Sequence, residues 1–195
     1  MIETTQTEGV RFGRTLVVAT AGDLLDQHVD ALVHAANCRG VMGTGGPGAF
    51  HAAGPVIERL AMSHAPLDLG TALVTEPGDL AARGVRAIVH AVVHPTLGSP
   101  VRLSVVRRAI GAALAAAETN RFRSLAIPPL GGGTEPDDPS PAAVAAIVVA
   151  EIVGHLRRST SRLERIVVVA RFDVDAAVIA RTIERARERD WIRPL

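Results

Sequence analysis

The sequence predicts an α/β layer fold in which strands alternate with crossover helices. Short β-branched runs are interleaved with longer Ala-rich stretches, and several runs are apolar on successive residues, as central strands covered on both faces must be. Glycine clusters follow two of these strands and mark one end of the sheet as the place for a ligand.

In chain order, strands are expected at residues 15–20, 31–36, 71–75, 87–93, 124–128 and 166–171. Residues 48–63 read as helical with a break at Gly54 and Pro55, because proline removes a backbone donor and crowds the preceding turn. Ser99 before Pro100 and Ser140 before Pro141 each place an N-cap beside a first-turn proline. Helices are therefore expected from these points to about Glu118 and about Arg158. The last helix is expected from Asp175 to about Arg189, its arginines toward the C-terminal end where the macrodipole favours them. No internal repeat or low-complexity linker divides the chain, which reads as an N-terminal extension over residues 1–13 and a single domain over 14–195.

With 195 residues, 48% hydrophobic and 21% charged, the chain can bury a sizeable core, which excludes disorder for most of it. Its 21 basic residues are all arginine and nearly balance 20 acids, for a formal charge of +1. Extended nucleic-acid binding, which draws on clustered positive charge, is not expected. The aromatics are Phe12, Phe50, Phe122, Phe172 and Trp191, so stacking surfaces are scarce. The single Cys38 excludes an internal disulfide framework and a multi-thiolate metal site, and a reducing compartment, the cytoplasm, is the simplest reading. The N-terminal segment lacks the apolar core of a signal peptide, and no apolar run approaches the roughly 20 residues of a membrane span. No membrane contact, metal or cofactor is expected.

Gly40, Gly43, Gly45, Gly46 and Gly48 lie between the second strand and the next helix. Glycines at this density let backbone amides approach an anion closely, and a phosphate is the natural tenant; a loop built only for tight turns is the plainer alternative. Gly43, Gly45 and Gly48 also satisfy the dinucleotide-binding spacing. However, residues 37–42 separate them from the strand, and Asp68 precedes the following strand instead of ending it, so a nicotinamide-dependent oxidoreductase is a weak reading. A second cluster, Gly131, Gly132, Gly133 and Thr134, follows the strand at 124–128. Two such loops at carboxyl ends of one sheet face each other across a crevice, which suits a diphosphate held from two sides. A chain without lysine cannot form the lysine-ended loop of nucleoside triphosphatases.

The chain resembles the macrodomain family of ADP-ribose-binding modules from about residue 14 to about residue 189. The resemblance is carried by Gly22-Asp23-Leu24, Val29-Asp30-Ala31-Leu32-Val33-His34-Ala35-Ala36-Asn37, the first glycine loop running into Gly48-Ala49-Phe50-His51, Ile88-Val89-His90-Ala91-Val92, the second glycine loop, and Val167-Val168-Val169-Ala170-Arg171-Phe172-Asp173. It implies a three-layer α/β/α sandwich with a central mixed, mostly parallel sheet.

The resemblance further implies that Asp23, beside Leu24, accepts a hydrogen bond from the adenine amino group, that Phe172 stacks on adenine, and that Asn37 positions the distal ribose. Gly45 and Gly46 would approach the diphosphate from one side, and Gly131, Gly132, Gly133 and Thr134 from the other, with Leu24, Gly43 and Gly48 also among the ligand-binding residues. Each role has a plainer rival: Asp23 as the N-cap of a short turn, Phe172 as core packing, Asn37 as a turn residue. His90 reads as a core histidine and Cys38 as a small buried side chain.

Two departures bear on activity. His34 replaces the first asparagine of the family's Asn-Ala-Ala-Asn, and Pro47, ten residues after Asn37, stands where the best-known hydrolase branch carries a water-activating aspartate. The branch with a catalytic lysine is closed as well. Hydrolysis is left with the substrate's own phosphate orienting water, Asn37 and Gly46 supplying position, or with a carboxylate from Glu135, Asp137 or Asp138. Acids beside a diphosphate would repel it, so facing solvent or capping the Pro141 helix is the favoured reading for them. The resemblance thus implies a protein that binds ADP-ribose, free or on an ADP-ribosylated protein, and hydrolyses ester-linked mono-ADP-ribose or a related acyl ester. A reader or metabolite sensor without turnover is the alternative that Pro47 favours.

Overall fold

The computed structural model describes residues 9–43, 46–131, 137–158 and 160–191. Strands β1 (Val10–Phe12), β2 (Thr15–Ala21), β3 (Ala31–Asn37), β4 (Ala72–Thr75), β5 (Ala87–His94), β6 (Ser124–Ile127) and β7 (Arg165–Ala170) form one sheet in the order β1-β2-β7-β6-β3-β5-β4. Pairings β2/β7, β7/β6, β6/β3 and β3/β5 are parallel, and the flanking pairs β1/β2 and β5/β4 are antiparallel. The sheet is mixed and mostly parallel, as expected.

Helices α1 (Gly46–Ala52) and α2 (Pro55–Ser63) lie on one face, and α3 (Leu103–Thr119), α4 (Pro141–Arg158) and α5 (Asp173–Trp191) on the other. The unbroken apolar runs of the central strands follow from this double cover. Leu32, Ile88, Ala126 and Val167 point to the α1/α2 side, while their neighbours Val33, Val89, Leu125, Ile127, Ile166 and Val168 point to the α3/α4/α5 side.

The expected breaks and boundaries hold with four exceptions, the first being α1, which begins at Gly46 instead of residue 48. The sheet begins at β1, inside the segment expected to precede the domain: Val10 and Phe12 are buried, Arg11 is exposed, and Gly13 takes a positive φ of 58° in the turn to β2. The helix expected from Ser99 starts only at Leu103. Ser99 is engaged in its own turn, its Oγ donating to the Thr96 carbonyl at 2.7 Å, and Arg102 before the helix is extended (φ −110°, ψ 132°). Helix α5 starts earlier than expected, at Asp173, because the Asp175 and Ala176 amides already bond to the Phe172 carbonyl. Elsewhere the signals read correctly: Ser140 Oγ accepts from the Ala143 amide at 3.3 Å, and Gly54 and Pro55 separate α1 from α2.

At the amino edge of the sheet, Asp30 ties β3 to β6 by accepting from the Arg123 and Ser124 amides at 2.6 and 3.2 Å. Glu118 closes the other helical layer, accepting from Ser161 Oγ, the Arg162 amide at 3.0 Å and His155 Nε2 at 3.2 Å. Burial alone would raise its pKa, but these hydrogen bonds outweigh it and hold the carboxyl below its usual range. No described helix is long and apolar enough to cross a membrane.

Candidate functional site

Chain order and spatial order diverge at β3 and β6. From β6 the chain crosses over α4 to β7 on one side, whereas β3 pairs on its other side with β5. These adjacent strands form the point where the winding direction reverses, and loops leaving their carboxyl ends toward opposite faces open a crevice there. Both glycine clusters leave from these two ends.

The other candidates fall in line along the same edge. Ala21 and Ala170 are paired in the β2/β7 ladder, and Asp23 and Phe172 each lie two residues further on. Reading across the sheet, the carboxyl edge presents Asp23, Phe172, Gly131, Asn37 and then His94. Three strand intervals separate β2 from β3, a span of about 14 Å.

Asp23 is exposed and caps the short 3-10 turn Leu24–Asp26, its Oδ1 accepting from the Leu25 amide at 2.8 Å. Leu24 is half-buried against the α1/α2 core. Phe172 is 58% exposed, with the Arg171 guanidinium 5.5 Å from its ring centroid, so core packing does not account for it. Asn37 is 4% exposed and binds its own loop: Nδ2 donates to the Val41 carbonyl at 2.7 Å, and Oδ1 accepts from the Arg39 and Val41 amides at 3.0 and 3.3 Å. The turn role is thus real, and one Nδ2 hydrogen remains uncommitted among the described residues. Gly46 and Gly48 lie in α1 with Pro47 between them. Gly45, Gly132, Gly133, Thr134 and Glu135 fall outside the described residues.

Segment 94–101 joins the two glycine loops, a link not evident from sequence. A Cβ on Gly43 would lie 2.6 Å from Leu97 Cδ2, and one on Gly131, whose φ is +69°, 2.3 Å from Val101 Cγ1. Asp138 accepts from the Val101 amide at 3.0 Å, so this acid of the second loop serves the same junction, while Asp137 is exposed. The segment begins at His94, whose Nδ1 lies 2.7 Å from the Ser99 carbonyl and whose own carbonyl accepts from the Cys38 amide at 3.0 Å. A carbonyl only accepts, so Nδ1 carries the proton and Nε2 of the neutral ring carries the lone pair. Glu58 of α2, which no sequence motif marks, accepts from the Met42 amide at 2.6 Å and pairs with His51 Nδ1 at 2.5 Å, anchoring the first loop.

Behind the loop, His34 and His90 are 2% and 0% exposed, their Nδ1 atoms 3.1 Å apart, and His90 Nε2 is 2.8 Å from Thr75 Oγ1. Burial pushes both pKa values down, with His90 reaching about 4; neighbouring His90 and His94 act in the same direction on His34. His34 stacks at a tilt on Phe50, the ring centroids 5.0 Å apart, and its Nε2 has no hydrogen-bond partner among the described residues. The Cys38 thiol is half-buried, less enclosed than expected, and burial followed by the Asp68 charge pushes its pKa up, away from a reactive thiolate.

Cavities lined by described residues lie at the amino edge, one of about 350 Å³ beside Thr75, Arg86 and Phe122 and one of about 220 Å³ beside Phe12 and Leu156. Neither is lined by Asp23, Phe172, Asn37, Gly131 or His94.

The fold is that of solved macrodomains. The Oceanobacillus iheyensis macrodomain with MES bound superposes with a TM-score of 0.80 at 20% identity, covering 93% of this chain and 97% of that one. The Trypanosoma brucei macrodomain in complex with ADP gives 0.73 at 23% identity, covering 89% and 69%. The Macro domain family model matches residues 33–146, and the chain belongs to that family. An uncharacterized protein of Aeropyrum pernix is 38% identical over 125 residues, 62% of this chain and 63% of the relative, so the match spans under two thirds of that protein. An O-acetyl-ADP-ribose deacetylase of Salmonella gallinarum is 34% identical over 119 residues, 57% of this chain and 64% of the relative.

Proposed function

We propose that this chain binds ADP-ribose along the carboxyl edge of its sheet and hydrolyses an ester of it, either ester-linked mono-ADP-ribose on an acidic side chain or an acyl ester of the free nucleotide. The observation that carries the reading is the placement of both glycine loops on adjacent strands at the reversal of the winding, between Asp23 with Phe172 on one side and Asn37 on the other. Phe172 offers an exposed aromatic face for adenine, Asp23 an acceptor for its amino group, the loops backbone amides for the diphosphate, and Asn37 its remaining donor for the distal ribose. The solved relative bound to ADP and the relative named as a deacetylase support this choice of ligand and reaction.

Because Pro47 cannot take a proton, Asn37 and Gly46 act by position, holding the ester so that its own phosphate can orient water. A reader without turnover is the second reading, and Pro47 favours it. Titration calorimetry with ADP-ribose tests the shared claim: saturable binding supports it, and no heat at high micromolar ligand with folded protein ends it. Release of ADP-ribose from a glutamate-modified protein and from O-acetyl-ADP-ribose then separates hydrolase from reader, since a reader binds and releases nothing over hours.

A further inference from the structure

We propose that His94 is the general base of this site, its Nε2 taking a proton from the water that attacks an acyl ester on the distal ribose. The inference rests on the ester-hydrolase reading above and narrows it to acyl esters.

Placement comes first. His94 ends β5 in register with Asn37, across the irregularity at Ala36/Asn37, so it stands at the end of the edge assigned to the distal ribose. Strand alternation puts it on the side of Ile88, opposite Val93, which is the side the first glycine loop and α1 occupy. It also opens segment 94–101, which seats Leu97 against Gly43 and Val101 against Gly131, and its own carbonyl accepts from the Cys38 amide that leads into the first loop.

The tautomer comes second. Donation from Nδ1 to the Ser99 carbonyl at 2.7 Å fixes the ring and leaves the lone pair on Nε2, which has no hydrogen-bond partner among the described residues. His94 is half-buried, in contrast to His90 and His34, which are enclosed within the fold. A base oriented through its second nitrogen by an acceptor is the arrangement that proton transfer in acyl hydrolysis uses, with a backbone carbonyl here in place of a carboxylate.

The step balances without a further reactant. Water oxygen bonds to the ester carbonyl carbon as its proton passes to Nε2, giving a tetrahedral oxyanion and an imidazolium that still donates from Nδ1 to Ser99. Collapse breaks the bond to the ribose oxygen, and the departing alkoxide takes the proton back from Nε2. The products are a carboxylic acid and ADP-ribose, and the imidazole is neutral again. An ester at the anomeric carbon can lose a carboxylate that needs no proton, so the returned proton matters most for acyl esters.

The test is single-turnover hydrolysis of O-acetyl-ADP-ribose alongside calorimetry with ADP-ribose, on wild type, His94→Asn, His94→Gln and His94→Ala. His94→Asn keeps a donor for Ser99, and His94→Gln places an amide near the Nε2 position; neither takes a proton. Both are expected to lower the rate by about 100-fold or more while ADP-ribose affinity stays within about three-fold. Near wild-type rates in both variants overturn the inference and leave the hydrolase reading intact. If His94→Ala alone loses activity, His94 only tethers the loop, and the inference fails. Wild type that binds ADP-ribose without turnover ends the hydrolase reading and this inference with it, and wild type that does not bind ends the ligand assignment itself.

Discussion

Phe172 and Asp23 occupy equivalent steps on neighbouring parallel strands, each two residues beyond the paired Ala170 and Ala21. The pairing brings an exposed aromatic and an exposed carboxylate to the same end of neighbouring strands. Adenine recognition asks for this combination, a stacking plane and an acceptor for the amino group.

Replacing Phe172 by alanine should therefore weaken ADP-ribose and ADP alike, by about 1 to 3 kcal/mol, or roughly 5- to 150-fold in Kd. The ring is 58% exposed, so the unfolding midpoint should barely move. Calorimetry with both nucleotides and a urea melt check this; unchanged affinity would place adenine elsewhere.

Gly131 and Val101 define a second relationship, one of close fit. With a φ of +69° and a Cβ position 2.3 Å from Val101 Cγ1, Gly131→Ala faces both backbone strain and collision. It should cost about 1 to 3 kcal/mol of stability and reduce ADP-ribose affinity by pushing the second loop away from segment 94–101. Adding Val101→Ala removes the collision but not the strain, so the double variant should be more stable than the sum of the single losses by about 1 kcal/mol. Denaturant unfolding of all three variants measures that coupling, and simple additivity would show that the contact carries no load.

The buried histidines make stability depend on pH in a defined direction. Both folded-state pKa values lie below the ordinary 6.5, with His90 at about 4, because burial penalises the charged ring. Below pH 6.5 the unfolded chain takes up protons that the folded chain refuses, so stability falls as pH falls. Each group contributes up to about 1.4 kcal/mol per pH unit in this window. Glu118, held below its ordinary 4.5, adds its own loss only at lower pH. Urea unfolding between pH 7 and pH 4.5 should show the decline, with His34→Asn reducing its slope by about one proton; an unchanged slope would mean that His34 is not kept neutral.

How much of this was legible in the sequence follows from the range of each interaction. Local patterns gave β2, β3, β5 and β7 as apolar runs and the break at Gly54 and Pro55, because these depend on neighbours a few residues away. Strand β1 escaped because Val10, Arg11 and Phe12 alternate over only three residues, too short a run to stand out. Ser99 misled because its hydroxyl had a nearer partner in Thr96 than the amides of α3. His94 is illegible in the sequence for a different reason. By sequence it falls just past the strand expected at 87–93, in a turn-like stretch with no motif; what marks it is the Ser99 tether and the register with Asn37, and the latter exists only once β3 and β5 pair.

Asn37 raises a question that a pair of ligands can answer. Its side chain already makes three hydrogen bonds within the loop, two accepted by Oδ1 and one donated by Nδ2. Asn37→Ala should therefore cost about 1 to 3 kcal/mol of stability whatever the ligand. If Asn37 served only the turn, ADP-ribose and ADP would lose affinity by the same factor, since both depend on the loop's shape. A direct bond from the remaining Nδ2 hydrogen to the distal ribose touches only ADP-ribose, which carries that sugar. We expect ADP-ribose to lose about ten-fold more affinity than ADP, about 1.4 kcal/mol of selective contact. Calorimetry of wild type and variant with each nucleotide closes the cycle, and equal losses would reduce Asn37 to a loop-forming residue and leave the ribose to another donor.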